Sequence, residues 1–566
     1  MTSFTFAQRV SLILISLVIV SLGQPSNLPL IGVIASTCGY ALFWLGLKKR
    51  SFVIPFIWFS LIQLYQLSWM TSYEYVGPYI LIVYAFLCLA VGAQFGLISY
   101  CIPYDKPLST QRLMALCALW SIFEWARLFF ISGYTWNPTG LALACTDFSR
   151  QWASIGGIYW LSFWVILVNL MLFKLVKSCL KTTKAGWIIC VSLPYIFGAA
   201  FIAWHDLKKD SLNQNPYHVA LVQTAMLPEE KFPYYGEKAK MLYTPLEQWQ
   251  RVLYLLRSQK HNALDLIVLP EAVVPYGSFK PLTAFQDLEY SFEKILGSKD
   301  KTFFPPLKPP LAHMITDEGE PFWGVGNAYW AQTIANYFAS EVVAGLEDFE
   351  MDGTKSSVSY QAAFHFAPFK EEWQRYEKQI LVPMAEYVPY AWCREIAKKW
   401  GIIYFFTPGT VAKVFKGKLK LGASICYEET FGNLVRQNRV QGAEIFVNVT
   451  NDIWYPNSML PQQHFELGRL RTVENGVPLV RACNNGVTSA VDSFGRVLKI
   501  LGEDEGEVEW SAGAINIEVP TYNYNTIYSY FGDMLVVGFS LILLIVYALD
   551  HYVIKRKVLA HKPLSN

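Results

Sequence analysis

Apolar residues are concentrated at the two ends of this chain, and this distribution limits the folds it can adopt. Hydrophobic residues make up 53% of the 566 residues and charged residues only 16%, a balance that is unusual for a soluble protein. Seven apolar segments of membrane-spanning length lie near residues 10–26, 28–47, 52–70, 78–102, 112–133, 154–176 and 186–204. An eighth runs from Asp533 to Leu549. The pattern predicts a multi-pass α-helical membrane domain.

Positive charges in the loops between these segments predict the orientation of the chain. If the N-terminus lies inside, the inside loops and the tail carry the basic residues at positions 48–50, 106, 112, 174, 177, 181, 184, 555–557 and 562. Lysine and arginine favour the cytoplasmic side. We therefore expect a transmembrane domain of seven helices (1–205), an extracytoplasmic domain (206–530), and a final helix with a basic cytoplasmic tail (531–566). The first segment is interpreted as a retained helix rather than a signal peptide.

Charge and cysteine content argue against several classes of protein. The formal net charge is +3 and the basic residues form no stripe, so no nucleic-acid partner is expected. Seven of the ten cysteines lie in or beside the apolar segments. The outer domain holds only Cys393, Cys426 and Cys483, and spacing alone leaves open whether Cys393 and Cys483 pair. No cluster of cysteine and histidine indicates a metal site, and no cofactor is expected.

Short β-prone runs alternate with helical patterns between residues 206 and 530, which predicts a layered α/β domain. The candidate strands are HVALVQ, LDLIVLP, KLGASICY, AEIFVNVT, VPLVRAC and TSAVDSFG. The candidate helices are PLEQWQRVLYLLRSQK and QQHFELGRLRTVENG. The segment from about 275 to 360 is rich in Pro, Gly and aromatic residues, so long loops are expected there.

Three polar side chains stand at the ends of runs in this domain. Cys426 ends the run LKLGASIC, Glu271 follows LDLIVLP, and Lys378 precedes the apolar run QILVPM. A strand-to-helix turn exposes its side chain, and a thiol held there can act as a nucleophile. A carboxylate, an ammonium and a thiol together predict acyl transfer through a thioester. Taken singly, each has a structural alternative: a buried cysteine, a carboxylate at a helix N-terminus, or an exposed lysine.

These motifs, together with EWARLFFISGYTWNPTG, NVTNDIWY and TIYSYFGD, resemble the apolipoprotein N-acyltransferase family, whose catalytic domain belongs to the nitrilase superfamily. The resemblance covers nearly the whole chain. It implies a membrane domain joined to an α/β nitrilase-like αββα sandwich, in the bacterial inner membrane with the catalytic domain in the periplasm. The chain departs from the family at VPMAEY, where VPFGEY is usual, and at Phe232, where tryptophan is frequent. It is also longer than usual between Glu271 and Lys378. These departures concern lids and substrate preference.

The resemblance also implies roles for the residues of the site. Cys426 corresponds to the nucleophile, Glu271 to the general base, and Lys378 to the cation that stabilises the oxyanion. A backbone N–H at Tyr427 is expected to assist Lys378. Two further acids can hold a lysine in place and keep it protonated. The family's supporting residues match Glu386, Tyr427 and Glu428, although Glu428 could equally have a structural partner.

Several aromatic and polar residues have weaker assignments. Aromatic rings suit the membrane interface, so lid or lipid contacts are expected for five residues, with ordinary packing as the alternative: Phe232, Tyr234, Tyr235, Trp454 and Tyr455. Asn451 and Asp452 are interpreted as a turn rather than as chemistry. Glu124 and Arg127, one helical turn apart in an apolar segment, could pair or serve a function.

The function implied is transfer of an acyl chain from a phospholipid, phosphatidylethanolamine in the family, through a thioester on Cys426. The acceptor is the α-amino group of the N-terminal diacylglyceryl-cysteine of an apolipoprotein, in the last step of lipoprotein maturation. Because moving an acyl chain into water costs about 0.8 kcal/mol per CH₂, the site is expected to open toward the membrane. Two alternatives remain: a membrane-tethered nitrilase-like amidohydrolase that uses water, and a transporter with a non-catalytic outer domain. A monomer is expected.

Overall fold

The computed structural model of the chain describes residues 4–25, 28–178, 181–210, 215–233, 240–259, 263–317, 320–351, 357–390, 392–393, 395 and 405–560. The lid candidates Tyr234 and Tyr235 lie outside the described residues. The chain forms two compact units. One consists of Met1–Tyr73, Pro78–Lys208 and Thr526–Asn566, and the other of Glu74–Gly77 and Lys209–Asn525.

The first unit is helical. Its helices are α1 (Phe6–Leu22), α2 (Pro29–Ile34), α3 (Tyr40–Gly46), α4 (Val53–Gln66), α5 (Ile80–Tyr100), α6 (Thr110–Ala126), α7 (Asp147–Arg150), α8 (Ala153–Ser178) and α9 (Lys181–Asp210), followed at the C-terminus by Ile527–Phe531 and Met534–Ala560. Among the described residues, five helical segments are long and apolar enough to cross a membrane: Pro29–Gly46, Ile80–Tyr100, Ala153–Ser178, Thr182–Lys209 and Met534–Tyr552. Helices α1 and α4 are shorter apolar helices. The prediction of eight spans stays a prediction.

The two charged residues of the fifth apolar segment lie near the end of α6, which stops at Ala126. Glu124 accepts hydrogen bonds from the backbone N–H of Thr139 at 2.8 Å and from its hydroxyl at 3.1 Å. Arg127 donates from Nε to Oε1 of Gln94 at 2.8 Å. Both charged side chains are buried. Glu124 and Arg127 therefore each form hydrogen bonds with another residue rather than with each other.

The second unit is built on strands that form two large sheets and one small one. The strands are β1 (Tyr217–Gln223), β2 (Leu266–Leu269), β3 (Thr283–Ala284), β4 (Ala312–Asp317), β5 (Glu320–Val325), β6 (Glu341–Met351), β7 (Ser357–Phe366), β8 (Trp373–Glu377), β9 (Val414–Lys416), β10 (Lys420–Ile425), β11 (Ile445–Thr450), β12 (Leu479–Cys483), β13 (Ser489–Val491), β14 (Val497–Ile500) and β15 (Gly513–Val519). The first sheet has the order β15-β1-β2-β6-β7-β8, and the second has the order β14-β13-β12-β11-β10-β9. In each sheet three central strands are parallel, β1-β2-β6 in the first and β10-β11-β12 in the second.

Helices cover the outer faces of both sheets. They are α11 (Pro245–Leu256), α12 (Phe285–Ser291), α13 (Asn327–Phe338), α14 (Gly432–Val440) and α15 (Leu460–Asn475), and the short helix α10 (Pro228–Lys231) precedes α11 in the chain. Alternate residues of β1 show the layering. Val219 and Leu221 pack in the core between the two sheets, whereas Ala220 and Val222 pack with residues of α11 and α13. The result is the predicted αββα sandwich.

The segment from about 275 to 360 is more regular than expected. It contains α12, α13, β6 and the three-stranded sheet of order β3-β5-β4. Its aromatic residues Phe292, Tyr329 and Trp330 are almost fully buried in the core beside the first sheet. The prediction of long loops is wrong for most of this segment, because the aromatic residues that suggested irregular structure are core residues.

Candidate active site

The candidate nucleophile stands at the carboxyl end of a central strand of the second sheet. Strand β10 ends at Ile425, and a 3₁₀ turn begins at Cys426. Cys426 has a φ of 50°, in the left-handed region that residues other than glycine seldom adopt. Its carbonyl accepts hydrogen bonds from Nδ2 of Asn448 at 3.3 Å and from Nε2 of His464 at 3.2 Å. Cys426 and the adjacent Tyr427 are both half-buried.

The candidate base follows the carboxyl end of β2 in the first sheet. Glu271 is only 5% exposed, and its carboxylate lies beside the thiol of Cys426 and accepts a hydrogen bond from Lys378. A Cβ atom at Gly345 on β6 would lie 2.5 Å from Cα of Glu271, so glycine is needed there. Burial raises the pKa of Glu271, although the charge of Lys378 opposes the shift. A carboxylate of this kind can accept a proton from a thiol.

The candidate cation directly follows β8 and is fully buried. Lys378 donates from Nζ to Oε1 of Glu271 at 3.2 Å and to Oε1 of Glu386 at 2.6 Å. The other oxygen of Glu386 accepts from the backbone N–H of Val382 at 2.8 Å. Burial alone would lower the pKa of Lys378, but the two carboxylates raise it well above its usual value. Lys378 is therefore a fixed cation beside the thiol.

Together, Glu271, Lys378, Glu386 and Cys426 form what we term the thiol pocket. Burial and the charge of Glu271 raise the pKa of the Cys426 thiol, and Lys378 opposes this shift. The resting cysteine is thus protonated. Because only the thiolate is a strong nucleophile, attack requires transfer of the proton to a neighbouring base, and Glu271 lies beside the thiol.

Glu428 has structural partners, which is one of the two alternatives that the sequence left open. Its fully buried carboxylate accepts hydrogen bonds from the backbone N–H groups of Ile425 at 2.8 Å, Gln379 at 2.6 Å and Ile380 at 3.2 Å. The hydroxyl of Tyr376 donates to it at 2.9 Å. Burial raises the pKa of Glu428 to about 7, against the effect of these hydrogen bonds. Glu428 ties the turn that carries the thiol to the segment that carries the lysine.

Two of the described lid candidates, Phe232 and Trp454, form a small aromatic cluster with Tyr75. The ring of Phe232 lies 6.4 Å from that of Trp454, and the ring of Tyr75 lies 6.4 Å from Trp454 on an edge-to-face geometry. Trp454 is 36% exposed, and the adjacent Tyr455 is half-buried. Aromatic pairs at these separations attract one another. Tyr75 was not among the predicted residues, because it lies in a loop of the apolar part of the sequence.

A second group of buried charges contacts the backbone of Cys426, and sequence reasoning missed it. We term Glu429, Asp452, His464 and Arg481 the ionic network. Arg481 donates to Glu429 at 2.8 Å and to Asp452 at 3.1 Å. His464 contacts Asp452 at 2.8 Å and Glu429 at 3.1 Å. Each side chain is at most 2% exposed. The arginine inside the apolar run VPLVRAC was the available signal, since a buried charge requires partners.

The turn predicted at residues 451–452 is only part of their role. Oδ1 of Asn451 accepts from the backbone N–H of Ile453 at 3.4 Å, as in an Asx turn, whereas Asp452 belongs to the ionic network. Cys393 and Cys483 are both free thiols. Within the described part of the chain, no group of His, Cys, Asp and Glu side chains could hold a metal ion.

Comparisons with known proteins identify relatives of both parts of the chain. The carbon-nitrogen hydrolase model matches residues 218–515, and the model for the apolipoprotein N-acyltransferase N-terminal domain matches residues 16–171. The apolipoprotein N-acyltransferase of Chlamydia pneumoniae is 32% identical to this chain, over 94% of this chain and 96% of that protein. The enzyme of the same name from Chlamydia trachomatis is 31% identical, over 93% and 94%.

A solved structure has a more distant similarity. The carbon-nitrogen hydrolase from Helicobacter pylori is 15% identical, with a TM-score of 0.34, over 54% of this chain and 90% of that chain. The family models and the full-length relatives carry the assignment. The catalytic unit has the fold of a nitrilase-like carbon-nitrogen hydrolase, and the apolar helices are those of a membrane protein. The chain belongs to the apolipoprotein N-acyltransferase family.

Proposed function

We propose that this chain is a ping-pong acyltransferase that moves an acyl chain from a phospholipid to an apolipoprotein through a thioester on Cys426. The donor is phosphatidylethanolamine, and the acceptor is the α-amino group of an N-terminal diacylglyceryl-cysteine. The observation that carries the proposal is the contact of Glu271 with both the Cys426 thiol and Nζ of Lys378, the latter at 3.2 Å. The names of the relatives support an apolipoprotein as the acceptor.

In the first half-reaction, Glu271 accepts the thiol proton as sulfur attacks the ester carbonyl. Lys378 and a backbone N–H at Tyr427 stabilise the negative oxygen of the tetrahedral intermediate. The bond between the carbonyl carbon and the glycerol oxygen then breaks, and Glu271 returns the proton to that oxygen. The lysophospholipid leaves, and the acyl chain remains on Cys426.

In the second half-reaction, the free amine of the diacylated cysteine attacks the thioester carbonyl while Glu271 accepts a proton from the nitrogen. The C–S bond breaks, an amide forms, and the cysteine sulfur recovers its proton. Glu386 holds Lys378 in place through its 2.6 Å hydrogen bond. Glu428 fixes the turn before Cys426 through the backbone N–H of Ile425.

The arrangement proposed around this site follows the loop charges of the sequence. Residues 206–530 form a periplasmic catalytic domain, and residues 1–205 and 531–566 anchor it in the bacterial inner membrane. Phe232, Trp454 and Tyr455 are proposed to contact the acyl chains of the two lipid substrates. The protein acts as a monomer.

The test is intact-mass analysis of the purified full-length protein in detergent after incubation with phosphatidylethanolamine of known chain length. A single acyl adduct is expected, located by peptide mapping on Cys426. The Cys426→Ala variant is the matched control and should gain no adduct. An unmodified wild-type protein, or an adduct on another residue, would contradict the proposal.

Addition of a diacylated lipopeptide then separates transfer from hydrolysis. Transfer predicts that the adduct disappears as the peptide gains one acyl chain on its α-amino group. Release of free fatty acid with an unchanged peptide would instead support the membrane-tethered amidohydrolase. A peptide whose α-amino group is already acetylated serves as control, and it should leave the adduct in place.

A further inference from the structure

A second lysine is buried beside the candidate base, and the mechanism above does not use it. Lys231 ends the short helix α10 and is 1% exposed. Its Nζ donates a hydrogen bond of 2.6 Å to the carbonyl oxygen of Ala272, the residue directly after Glu271. A lysine is rarely buried to this extent unless its charge has partners. Its buried position beside Glu271 therefore indicates a role at the site.

The turn that Lys231 contacts has an unusual backbone. Ala272 has a φ of 44° and Tyr276 a φ of 82°, both in the left-handed region that is costly for residues other than glycine. Lys231 holds this turn at two points, because its own carbonyl oxygen accepts from the hydroxyl of Tyr276 at 3.1 Å. The backbone N–H of Tyr276 in turn donates to Glu347 at 3.1 Å. The conformation that presents Glu271 to the thiol thus depends on contacts with Lys231.

The surrounding charges are predominantly negative. Lys231 interacts electrostatically with Glu271 and with Glu347, a residue that is 9% exposed. Burial lowers the pKa of Lys231 to about 7, although both carboxylates oppose the shift. The other ionisable groups around Lys231 and Glu271 are Tyr276, Lys378, Glu386 and Cys426, and Glu229 and Glu230 share the helix of Lys231. Lys378 divides its charge between two carboxylates, so a second cation matters to Glu271.

We propose that Lys231 is a positioning residue for the base: its ammonium group stabilises the carboxylate form of Glu271, and its hydrogen bond fixes the turn that presents it. The inference rests on the proposed function, since it assigns Glu271 the task of accepting the thiol proton. It adds to the site a cation from α10, outside the strands that supply Glu271, Lys378 and Cys426. Phe232, the neighbour of Lys231, belongs to the aromatic cluster with Trp454.

The test measures the pH dependence of Cys426 alkylation by iodoacetamide in the full-length protein, followed by mass spectrometry of the Cys426 peptide. The rate falls at acid pH as Glu271 becomes protonated. In Lys231→Met, the carboxylate loses a nearby cation, which raises its pKa. The pH at which the rate falls should therefore be about one unit higher than in the wild type. At a given pH below that point, alkylation of the variant should be about tenfold slower. Lys231→Arg keeps the positive charge and should return this pH toward the wild-type value.

The controls separate this role from a structural one. Lys308→Met removes a surface lysine whose side chain is 55% exposed, and its profile should match that of the wild type. A lower maximal rate that falls at the same pH as in the wild type would overturn the proposal, as would a profile identical to the wild type. If Lys231→Met fails to fold, Lys231→Arg is compared with the wild type alone. A fall in its alkylation rate at a higher pH than in the wild type would also overturn the proposal. Iodoacetamide replaces the lipid, so missing acyl adducts would count against the proposed function alone.

Discussion

The thiol pocket and the ionic network both place buried charged groups around Cys426. They differ in the direction in which the pKa of a buried carboxyl group is shifted. The pocket contacts the thiol, and the network contacts the carbonyl oxygen through His464 at 3.2 Å. In the pocket, burial raises the pKa of Glu271. In the network, the pKa of Asp452 is lowered although burial opposes this, because His464 and Arg481 both lie beside it. Asp452 has two basic side chains beside it, whereas Lys378 is the cation in hydrogen-bond contact with Glu271.

This comparison distinguishes the thiol pocket, where a proton transfer is proposed, from the ionic network, whose contacts support the backbone. Lys378 lies in hydrogen-bond contact with both carboxylates of the pocket, and the proposed mechanism moves a proton from Cys426 to Glu271. Arg481 contacts both acids of the network, and their charges raise its pKa further against the effect of burial. The network is therefore a buried set of ion-pair contacts that supports the turn at Cys426 through the hydrogen bond of His464. Changes in the pocket should alter chemistry first, and changes in the network should alter stability first.

The largest expected effect is on the chemical step. Glu271→Gln removes the group that accepts the thiol proton, and acyl-adduct formation should fall by about 10²–10⁴-fold. The thermal midpoint should change little, because Lys378 keeps its 2.6 Å contact with Glu386. Adduct formation is followed by intact mass. Glu371→Gln, at a surface acid that pairs with Lys308, is the control, and equal losses in the two variants would contradict the assignment.

The next effect concerns the network. Arg481→Met leaves Glu429 and Asp452 buried without their arginine, and the free energy of unfolding should fall by about 3–5 kcal/mol. Denaturant unfolding of the detergent-solubilised protein measures the change. Arg257→Met, at an exposed position after α11, should stay within about 0.5 kcal/mol of the wild type. A stable Arg481→Met protein that has lost only its activity would reverse the proposed division of roles.

A third prediction concerns the ionisation of Lys231 and uses the pH dependence of stability. Lys231 has a pKa of about 7 in the folded protein, below its usual value of 10.5, so the unfolded chain binds the proton more tightly between these values. The stability of the wild type should therefore rise with pH across this window, by about 2–3 kcal/mol from pH 7 to pH 9 relative to Lys231→Met. Unfolding midpoints at both pH values measure it. A constant difference between the two proteins would contradict the assigned ionisation.

The smallest effect should lie at the aromatic cluster. Trp454→Ala removes the ring that Phe232 and Tyr75 contact, and acyl-adduct formation from phospholipid should slow about tenfold. Alkylation of Cys426 by iodoacetamide should be unchanged, since the thiol pocket remains intact. Tyr254→Ala, at a ring that is 64% exposed on α11, is the control. Equal slowing of both reactions would place Trp454 in the support of the pocket rather than in lipid contact.

The local patterns of the sequence predicted a layered α/β domain and placed Glu271 and Cys426 at the ends of strands, whereas the αββα arrangement and the role of Lys378 followed from the resemblance to the family. Alternating apolar runs define the strands, and a polar residue just after a run marks its end. The network and Lys231 were missed, because burial of a charged side chain depends on residues far apart in sequence. Arg481 and Glu429, for example, are 52 positions apart. For the same reason, the sequence did not reveal that the aromatic residues between positions 275 and 360 pack in the core.

The left-handed backbone at Cys426 has a consequence for which nucleophiles this turn can carry. Branched side chains at Cβ are genuine outliers at positive φ, so a threonine at this position would strain or displace the turn. Serine has the same shape as cysteine and should fit. An oxygen nucleophile could therefore be introduced at residue 426 only through an unbranched side chain, which excludes threonine-based catalysis from this scaffold.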